Sequence, residues 1–156
     1  MIVHQTYEIF ADYFQIVLED AGLKAVERDF RFSQQSLADR VWTDVGMVIL
    51  FTARNMTVPV DFDVLEQPPT DSLTEWDHVA EASIEITSGQ VELYGVGAYQ
   101  GNLIPIASGV YRVRMYHGSL GSLSGDGLEG EDHYRIVLWR DTPIQPRVLK
   151  LWVEAG

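Results

Sequence analysis

The stretch VYRVRMY, residues 110–116, decides the fold class, because apolar and basic side chains alternate along it. Its apolar members are Tyr111, Val113 and Met115, and its basic members are Arg112 and Arg114. The stretch HYRIVLW, residues 133–139, follows the same rule, with Tyr134, Ile136 and Leu138 as its apolar members. Alternate side chains of a strand point to opposite faces, so the two runs predict antiparallel strands with one buried face and one polar face.

The same period of two extends outward in both directions along the chain. Residues 13–20, 56–64, 76–86 and 147–153 all alternate, and the turn sequences TSGQ and EQPPTDS separate runs of this kind. The side chains predicted to face inward include Val58, Val60, Phe62, Val64, Trp76, Ala80, Ala82, Ile84 and Ile86. Many short strands with turns between them predict an all-β protein, a single-domain antiparallel β-sandwich or jelly-roll-like fold spanning residues 1–156.

One segment departs from the alternation. The sequence SQQSLADRVW, residues 33–42, offers Ser33 or Ser36 as a helix N-cap and places Leu37 and Val41 four residues apart on one helical face. It predicts one short helix near residues 33–42.

Composition limits the class of protein. The chain has 156 residues, 46% of them hydrophobic and none of them cysteine, which indicates one globular domain without disulfides or thiolate chemistry. The longest apolar run, residues 45–51, is too short to span a membrane. The first residues lack the pattern of a secretory signal, so a cytoplasmic location is predicted and membrane binding is not.

The formal net charge is −12, from 23 acidic and 11 basic residues. Such a surface repels nucleic acid phosphates, so direct nucleic acid binding is not expected. It favours a basic protein partner, and nucleases are common basic proteins. The alternative, that the charge serves solubility alone, stays open.

The loop HGSLGSLSGDGLEGED, residues 117–132, raises a different question. It lacks the Lys-Ser or Lys-Thr pair of a phosphate-binding loop and the spacing and flanking helices of an EF-hand. An irregular calcium site, an ordered recognition loop and a mobile connector all remain open. Its candidate binding residues are Asp126, Glu129, Glu131 and Asp132.

Catalytic chemistry has little support in the sequence. The four histidines form no H-x-H pair, and His117 and His133 flank the loop, where they could converge if it folds back. No G-x-S-x-G sequence is present. We therefore predict no catalytic residues, no metal ligands and no cofactor.

The polar face of the two opening stretches is the main candidate site. Its members are Arg112, Arg114, Tyr116, His133, Arg135 and Trp139. Two interpretations are open: cross-strand ion pairs with neighbours such as Glu81 and Glu85, or a face that binds a partner or an anion through arginine and aromatic side chains.

The order of four segments resembles the competence protein J family, small bacterial proteins that inhibit a DNA-entry nuclease. The segments are GMVILFTARN (46–55), EWDHVAEASIEITSGQVEL (75–93), LIPIASGVYRVRMY (103–116) and HYRIVLW (133–139), so the resemblance covers roughly residues 40–140. Its most specific element is F-x-x-R-N, which ends in Arg54 and Asn55. The resemblance implies a non-enzymatic protein that acts by binding another protein.

These observations give one leading hypothesis and two alternatives. The leading hypothesis is an acidic protein-binding module that inhibits, or confers immunity to, a basic nuclease or toxin. The alternatives are a sandwich that binds a carbohydrate or anion on its aromatic and arginine face, and a cupin-like metal-dependent enzyme.

Overall fold

The computed structural model describes residues 3–154, and these form eleven strands, one α-helix and three short 3₁₀ turns. The elements are β1 (Val3–Phe10), β2 (Gln15–Asp20), α1 (Gln34–Asp39), β3 (Val41–Asp44), β4 (Met47–Phe51), β5 (Thr57–Val64), β6 (His78–Ile86), β7 (Gln90–Gly95), β8 (Asn102–Pro105), β9 (Gly109–Gly118), β10 (His133–Arg140) and β11 (Arg147–Lys150). The 3₁₀ turns are Asp12–Phe14, Ala21–Leu23 and Leu120–Ser122. The all-β prediction is confirmed.

The strands form two sheets. The first sheet has the order β1-β5-β10-β9-β6-β11, and the second has the order β3-β4-β2-β7-β8. Among the described strands, β10 and β5 pair in parallel, and the other ladders are antiparallel. The sandwich-like arrangement agrees with the sequence prediction, whereas the parallel β5–β10 ladder departs from the antiparallel pairing that was predicted.

The alternating side chains of both sheets meet in one core. The cluster includes Val58, Val60, Phe62 and Val64 of β5, Ala80, Ala82, Ile84 and Ile86 of β6, Tyr111, Val113 and Met115 of β9, Tyr134, Ile136 and Leu138 of β10, and Ile16, Leu18 and Leu93 of the second sheet. Sheets packed face to face bury alternate residues in this way. The inward faces predicted for β5, β6, β9 and β10 are therefore confirmed.

Trp76 is an exception to that prediction. β6 begins at His78, and Trp76 lies before it in a turn in which its backbone N–H donates to Leu73. Its ring packs on the outer face of the first sheet, 5.1 Å from the ring of Tyr116. The inward placement of Trp76 is wrong, because the alternation does not extend to the two residues before the start of the strand.

The short helix is confirmed. Ser33 is its N-cap and accepts a hydrogen bond from the backbone N–H of Ser36, as a serine at this position commonly does. Arg40 ends the helix in a left-handed conformation, with φ of 61°. No helix among residues 3–154 has the length and apolar character needed to cross a membrane.

The outer face of the second sheet is covered by the segment of residues 24–33. Phe32 packs against Phe51 of β4 with ring centroids 5.0 Å apart. Arg28 holds the segment in place, since its guanidinium donates to the buried Glu19 and to the carbonyl of Val45. This cover explains why every residue of β4 is buried.

Asp20 joins the end of β2 to the turn between β6 and β7. Its buried carboxylate accepts hydrogen bonds from the hydroxyls of Thr87 and Ser88 and from their backbone N–H groups. Burial alone would raise the pKa of Asp20, but the hydrogen bonds from Ser88 and Thr87 outweigh it and lower the pKa to about 2. Asp20 therefore stays ionised at neutral pH and ties the two sheets together.

Candidate functional site

The six residues of the predicted arginine and aromatic face do lie on one side of the β9–β10 hairpin. In the ladder Arg112 is opposite Trp139, and Tyr116 is opposite Arg135. His133 is opposite Gly118, where a Cβ atom would collide with its imidazole. The spatial grouping expected from the alternation is therefore present.

This face is covered by the protein's own chain. Leu65, Leu73 and Trp76, from the segment before β6, pack against Tyr116 and Trp139. Tyr116 is fully buried, Trp139 is 2% exposed, and burial raises the pKa of the Tyr116 phenol. A partner can reach these two aromatic rings only if the covering segment moves away.

The arginines of the face are engaged in ion pairs. Glu81 is fully buried and accepts from Arg114 Nε at 2.7 Å and from Arg147 Nη2 at 2.6 Å, which links β6, β9 and β11. Arg135 Nε donates to the buried Asp63 at 2.9 Å.

Arg112, at the other end of the face, donates to the carbonyl oxygen of Thr142 at 2.7 Å and lies 3.4 Å from a carboxylate oxygen of Asp141. The ion pair predicted with Glu81 is present, whereas Glu85 is exposed and forms none with a described residue. These contacts hold strands together, and a binding role for the face stays a prediction.

Asp132 differs from the other acidic residues of the glycine-rich loop because it is buried. It is fully buried, forms an ion pair with Arg54, and accepts a hydrogen bond from Tyr134 Oη at 2.6 Å. Arg54 also donates to the carbonyl oxygen of Leu128 at 3.2 Å. Arg54, the arginine of the F-x-x-R-N element, therefore anchors the loop to the core, and Asp132 is its buried partner in this anchor.

The other three acidic residues of the loop, Asp126, Glu129 and Glu131, are exposed. Asp126 accepts from Ser124 Oγ at 2.6 Å and from the backbone N–H of Leu128 at 3.0 Å, and the Ser124 hydrogen bond lowers its pKa. These hydrogen bonds give the loop a defined shape. Across residues 3–154, no group of three or more histidine, aspartate or glutamate side chains is placed to hold a metal ion.

Two histidines are buried at one end of the core. His117 is fully buried beside His78, with ring centroids 5.0 Å apart, and neither of its ring nitrogens has a hydrogen-bond partner among the described residues. Burial lowers the pKa of His117 well below its usual value. His78 accepts from the backbone N–H of Trp152 at 3.0 Å.

His133 lies on the opposite side of the sheet from His117 and packs against Trp76, with ring centroids 5.2 Å apart. His117 instead packs against Tyr134 inside the core. The two histidines therefore do not converge, because they occupy opposite faces of adjacent strands. No sequence pattern indicated the buried pair that His117 forms with His78.

A second surface, which the sequence patterns did not reveal, lies where the β1–β2 turn meets the β7–β8 turn. A cavity of about 390 Å³ opens there, lined by Glu8, Ile9, Phe10, Asp12, Tyr94, Gly95, Val96, Gly97, Ala98, Gln100, Gly101 and Asn102. We call it the acidic cavity, because Glu8 and Asp12 are its charged members and neither forms an ion pair with a described residue.

A second cavity of about 290 Å³ adjoins the acidic cavity. It is lined by Gln15, Val17, Phe30, Phe32, Met47, Tyr94, Val96 and Gly97, and we call it the apolar cavity. The two cavities share Tyr94, Val96 and Gly97 as a common wall. Tyr94 is held in place because its hydroxyl donates to Glu19 at 2.8 Å.

Exposed aromatic residues either line these cavities, as Phe10 and Phe30 do, or are chain neighbours of lining residues. They are Phe10, Tyr13, Phe14, Phe30 and Tyr99, each at least 47% exposed, and we call them the aromatic rim. Tyr13 and Phe14 both have left-handed backbones, with φ of 54° and 62°, which bulky residues seldom adopt. Exposed apolar surface of this extent is typical of interaction sites.

Basic side chains are largely neutralised within the protein. Eight of the eleven form ion pairs with carboxylates, namely Lys24, Arg28, Arg31, Arg54, Arg112, Arg114, Arg135 and Arg147. The acidic side chains outside ion pairs outnumber the basic ones, so the excess negative charge faces the solvent.

The fold is similar to that of two solved structures. One is ComJ of Bacillus subtilis, described as an inhibitor of the DNA-degrading activity of NucA, with a TM-score of 0.71 and 11% identity over 90% of this chain and 99% of that chain. The other is the crocagin biosynthetic gene J product, with a TM-score of 0.56 and 15% identity over 90% and 100% of the two chains. No protein-family model and no curated protein matches the chain in sequence. The similarity shows a shared fold.

Proposed function

We propose that this protein binds a basic nuclease and inhibits it, without catalytic activity of its own. The observation that carries the proposal is the similarity to ComJ, which extends over 90% of this chain and 99% of that one. A match of this extent includes both sheets and is therefore not limited to a single common motif.

The charge of the protein supports the same function. A net charge of −12, with most basic side chains paired internally, leaves a negative surface that attracts a basic enzyme and accelerates association. The same surface repels DNA, so the protein would act on the nuclease and not compete for its substrate by binding DNA itself.

The two other hypotheses from the sequence have less support. The carbohydrate or anion hypothesis relied on Tyr116 and Trp139, which are buried. The enzyme hypothesis relied on His117 and His133, which lie on opposite sides of a sheet. Neither alternative gains an observation from the structure.

The test is a DNA-degradation assay. Basic nucleases encoded in the same genome are purified and titrated with the protein at about 50 mM and about 500 mM salt. We expect inhibition that saturates near one equivalent at low salt and weakens at high salt, because screening reduces charge attraction.

Failure to slow any of these nucleases at low salt would contradict the proposal. A denatured sample of the protein is the control, since its net charge is the same while its surfaces are lost. Inhibition by that sample would show that negative charge alone is responsible.

A further inference from the structure

We infer that the acidic cavity and the apolar cavity together form the docking site, which takes a basic side chain and a neighbouring apolar side chain from the partner protein. This inference rests on the proposed function for the identity of the partner. The carrying observation is the juxtaposition of Glu8 and Asp12 with an apolar cavity across the shared wall of Tyr94, Val96 and Gly97.

The acidic cavity has the chemistry to bind a guanidinium or ammonium group. Glu8 and Asp12 are its charged lining residues, and the lining contains no lysine or arginine. One oxygen of Asp12 accepts from the backbone N–H of Tyr13 at 3.1 Å, which orients the carboxylate. A partner's arginine would therefore replace water at a carboxylate that has no counterion among the described residues.

The apolar cavity has the chemistry to bind an aliphatic or aromatic side chain. Val17, Phe30 and Met47 are among its lining residues, and Met47 adapts readily to different shapes. Phe30 is 52% exposed and packs against Trp42 with ring centroids 5.5 Å apart. Covering Phe30 with a partner's side chain would remove further apolar area from water, which is favourable.

The occupant is another protein and not a second copy of this chain. A second copy would have to supply a free basic side chain, yet most basic residues here are already paired with carboxylates. The aromatic rim around both cavities also fits a protein surface, since aromatic residues are enriched where partners pack tightly.

The direct test uses a short peptide and amide NMR. The probe is an acetylated, amidated peptide of sequence Gly-Arg-Phe-Phe-Gly, which offers apolar side chains one and two positions after arginine. We expect shift changes confined to the lining residues of the two cavities and their chain neighbours, which are residues 8–17, 30–32, 47 and 94–102. The dissociation constant should be on the order of 1 mM, because the peptide is small and flexible. The control peptides are Gly-Glu-Phe-Phe-Gly and Gly-Arg-Ser-Ser-Gly, and neither should reproduce these shifts.

Variants of the protein sharpen the test. The double variant Glu8→Gln with Asp12→Asn, and separately Phe30→Ala, should each weaken peptide binding about tenfold. The matched controls are Glu75→Gln with Glu85→Gln, at two exposed carboxylates outside the ion pairs of the described residues, and Leu128→Ala, at a side chain that is 51% exposed. Glu85 lies on β6, which three strands separate from β1 in the first sheet.

The outcomes separate this inference from the proposed function. Shifts scattered over the acidic surface, shifts elsewhere, or no shifts at millimolar peptide would overturn the docking site even if a nuclease is inhibited. Equal nuclease inhibition by the wild type and by the Glu8→Gln, Asp12→Asn variant would overturn it as well. Localised peptide binding without inhibition of any nuclease would uphold the site and refute the proposed function. Dimers in sedimentation that disappear in this variant would assign the site to a second copy and overturn the inferred partner.

Discussion

Buried carboxylates such as Glu81 and Asp132 are stabilised by arginines from distant parts of the chain. Glu81 has partners on β9 and β11, and Asp132 has a partner in Arg54, 78 residues earlier. A charge taken out of water is tolerated only when such partners are present. Both carboxylates therefore have a structural role, and a single substitution at either one should destabilise the fold.

Asp132→Asn should lower the free energy of unfolding by about 3 kcal/mol, because it leaves the guanidinium of Arg54 buried without its counterion. Urea denaturation measures this loss. The matched control is Asp126→Asn in the same loop, which is exposed and should leave the urea midpoint nearly unchanged. Equal effects at the two positions would contradict the anchoring role of Asp132.

His117 should make the protein less stable in mild acid. The pKa of His117 is lowered by burial next to His78, so the folded state resists a proton that the unfolded chain accepts below about pH 6.5. Stability from this source is complete above about pH 6.5 and is lost as the pH falls. The slope should approach about 1.4 kcal/mol per pH unit for one proton.

The variant His117→Phe should flatten this dependence while keeping stability at neutral pH, because it also removes two ring nitrogens that have no hydrogen-bond partner among residues 3–154. Urea denaturation between about pH 7 and about pH 5 provides the measurement. His133→Gln is the control and should retain the full slope. An unchanged slope in His117→Phe would exclude His117 as its source.

At the scale of elements, the covering segments distinguish this fold from a simple two-sheet stack. Residues 65–77 cover the outer face of the first sheet, and residues 24–33 cover the outer face of the second. Strand alternation predicted which residues share a face, as with Arg112 and Trp139. It could not predict the cover, because LEQPPTDSLTEW has no period and its contacts are made by three apolar side chains that belong to no strand.

Removing the cover should destabilise the first sheet without affecting partner binding. Trp76→Ala should lower the free energy of unfolding by about 2 kcal/mol, since the ring is only partly buried, and should increase quenching of Trp139 fluorescence by iodide. Inhibition of the nuclease should stay unchanged. Stronger inhibition by Trp76→Ala would restore the arginine and aromatic face as a binding site.

The β1–β2 turn should show the opposite relation between stability and binding. Tyr13→Gly should raise the free energy of unfolding by about 1 kcal/mol, because glycine adopts the left-handed φ of 54° without strain. Loss of the exposed ring should weaken inhibition. Tyr99→Gly, where φ is not positive, should instead lower stability slightly; a stabilised Tyr99→Gly would show that strain relief is not the cause.

For the whole molecule, net charge and folding stability are linked. A charge of −12 repels itself in the compact state, so raising salt from about 20 mM to about 200 mM should raise the melting temperature by a few degrees. The same change should weaken nuclease binding. A calorimeter and the inhibition assay measure the two effects, and a melting temperature that falls with salt would contradict the first.

The sequence predicted the class of fold, the inward faces of four strands and the helix, because period and capping are local properties. It did not predict the acidic and apolar cavities, because Glu8, Phe30 and Gly97 come from three separate segments that only the tertiary fold brings together. The net charge predicted a basic partner. It could not predict that Glu8 and Asp12 would both line one cavity and lie outside the ion pairs of the described residues.

The parallel pairing of β5 with β10 has a kinetic consequence. Val60 pairs with Tyr134, so this edge of β5 stays unpaired until a strand more than seventy residues later in the chain is in place. Contacts between positions so far apart in the chain close late and slow the search for the native topology. Folding should therefore take longer than for a β-meander of equal size. Until β10 is in place, the unpaired edge of β5 can pair with a strand of another chain, which favours aggregation.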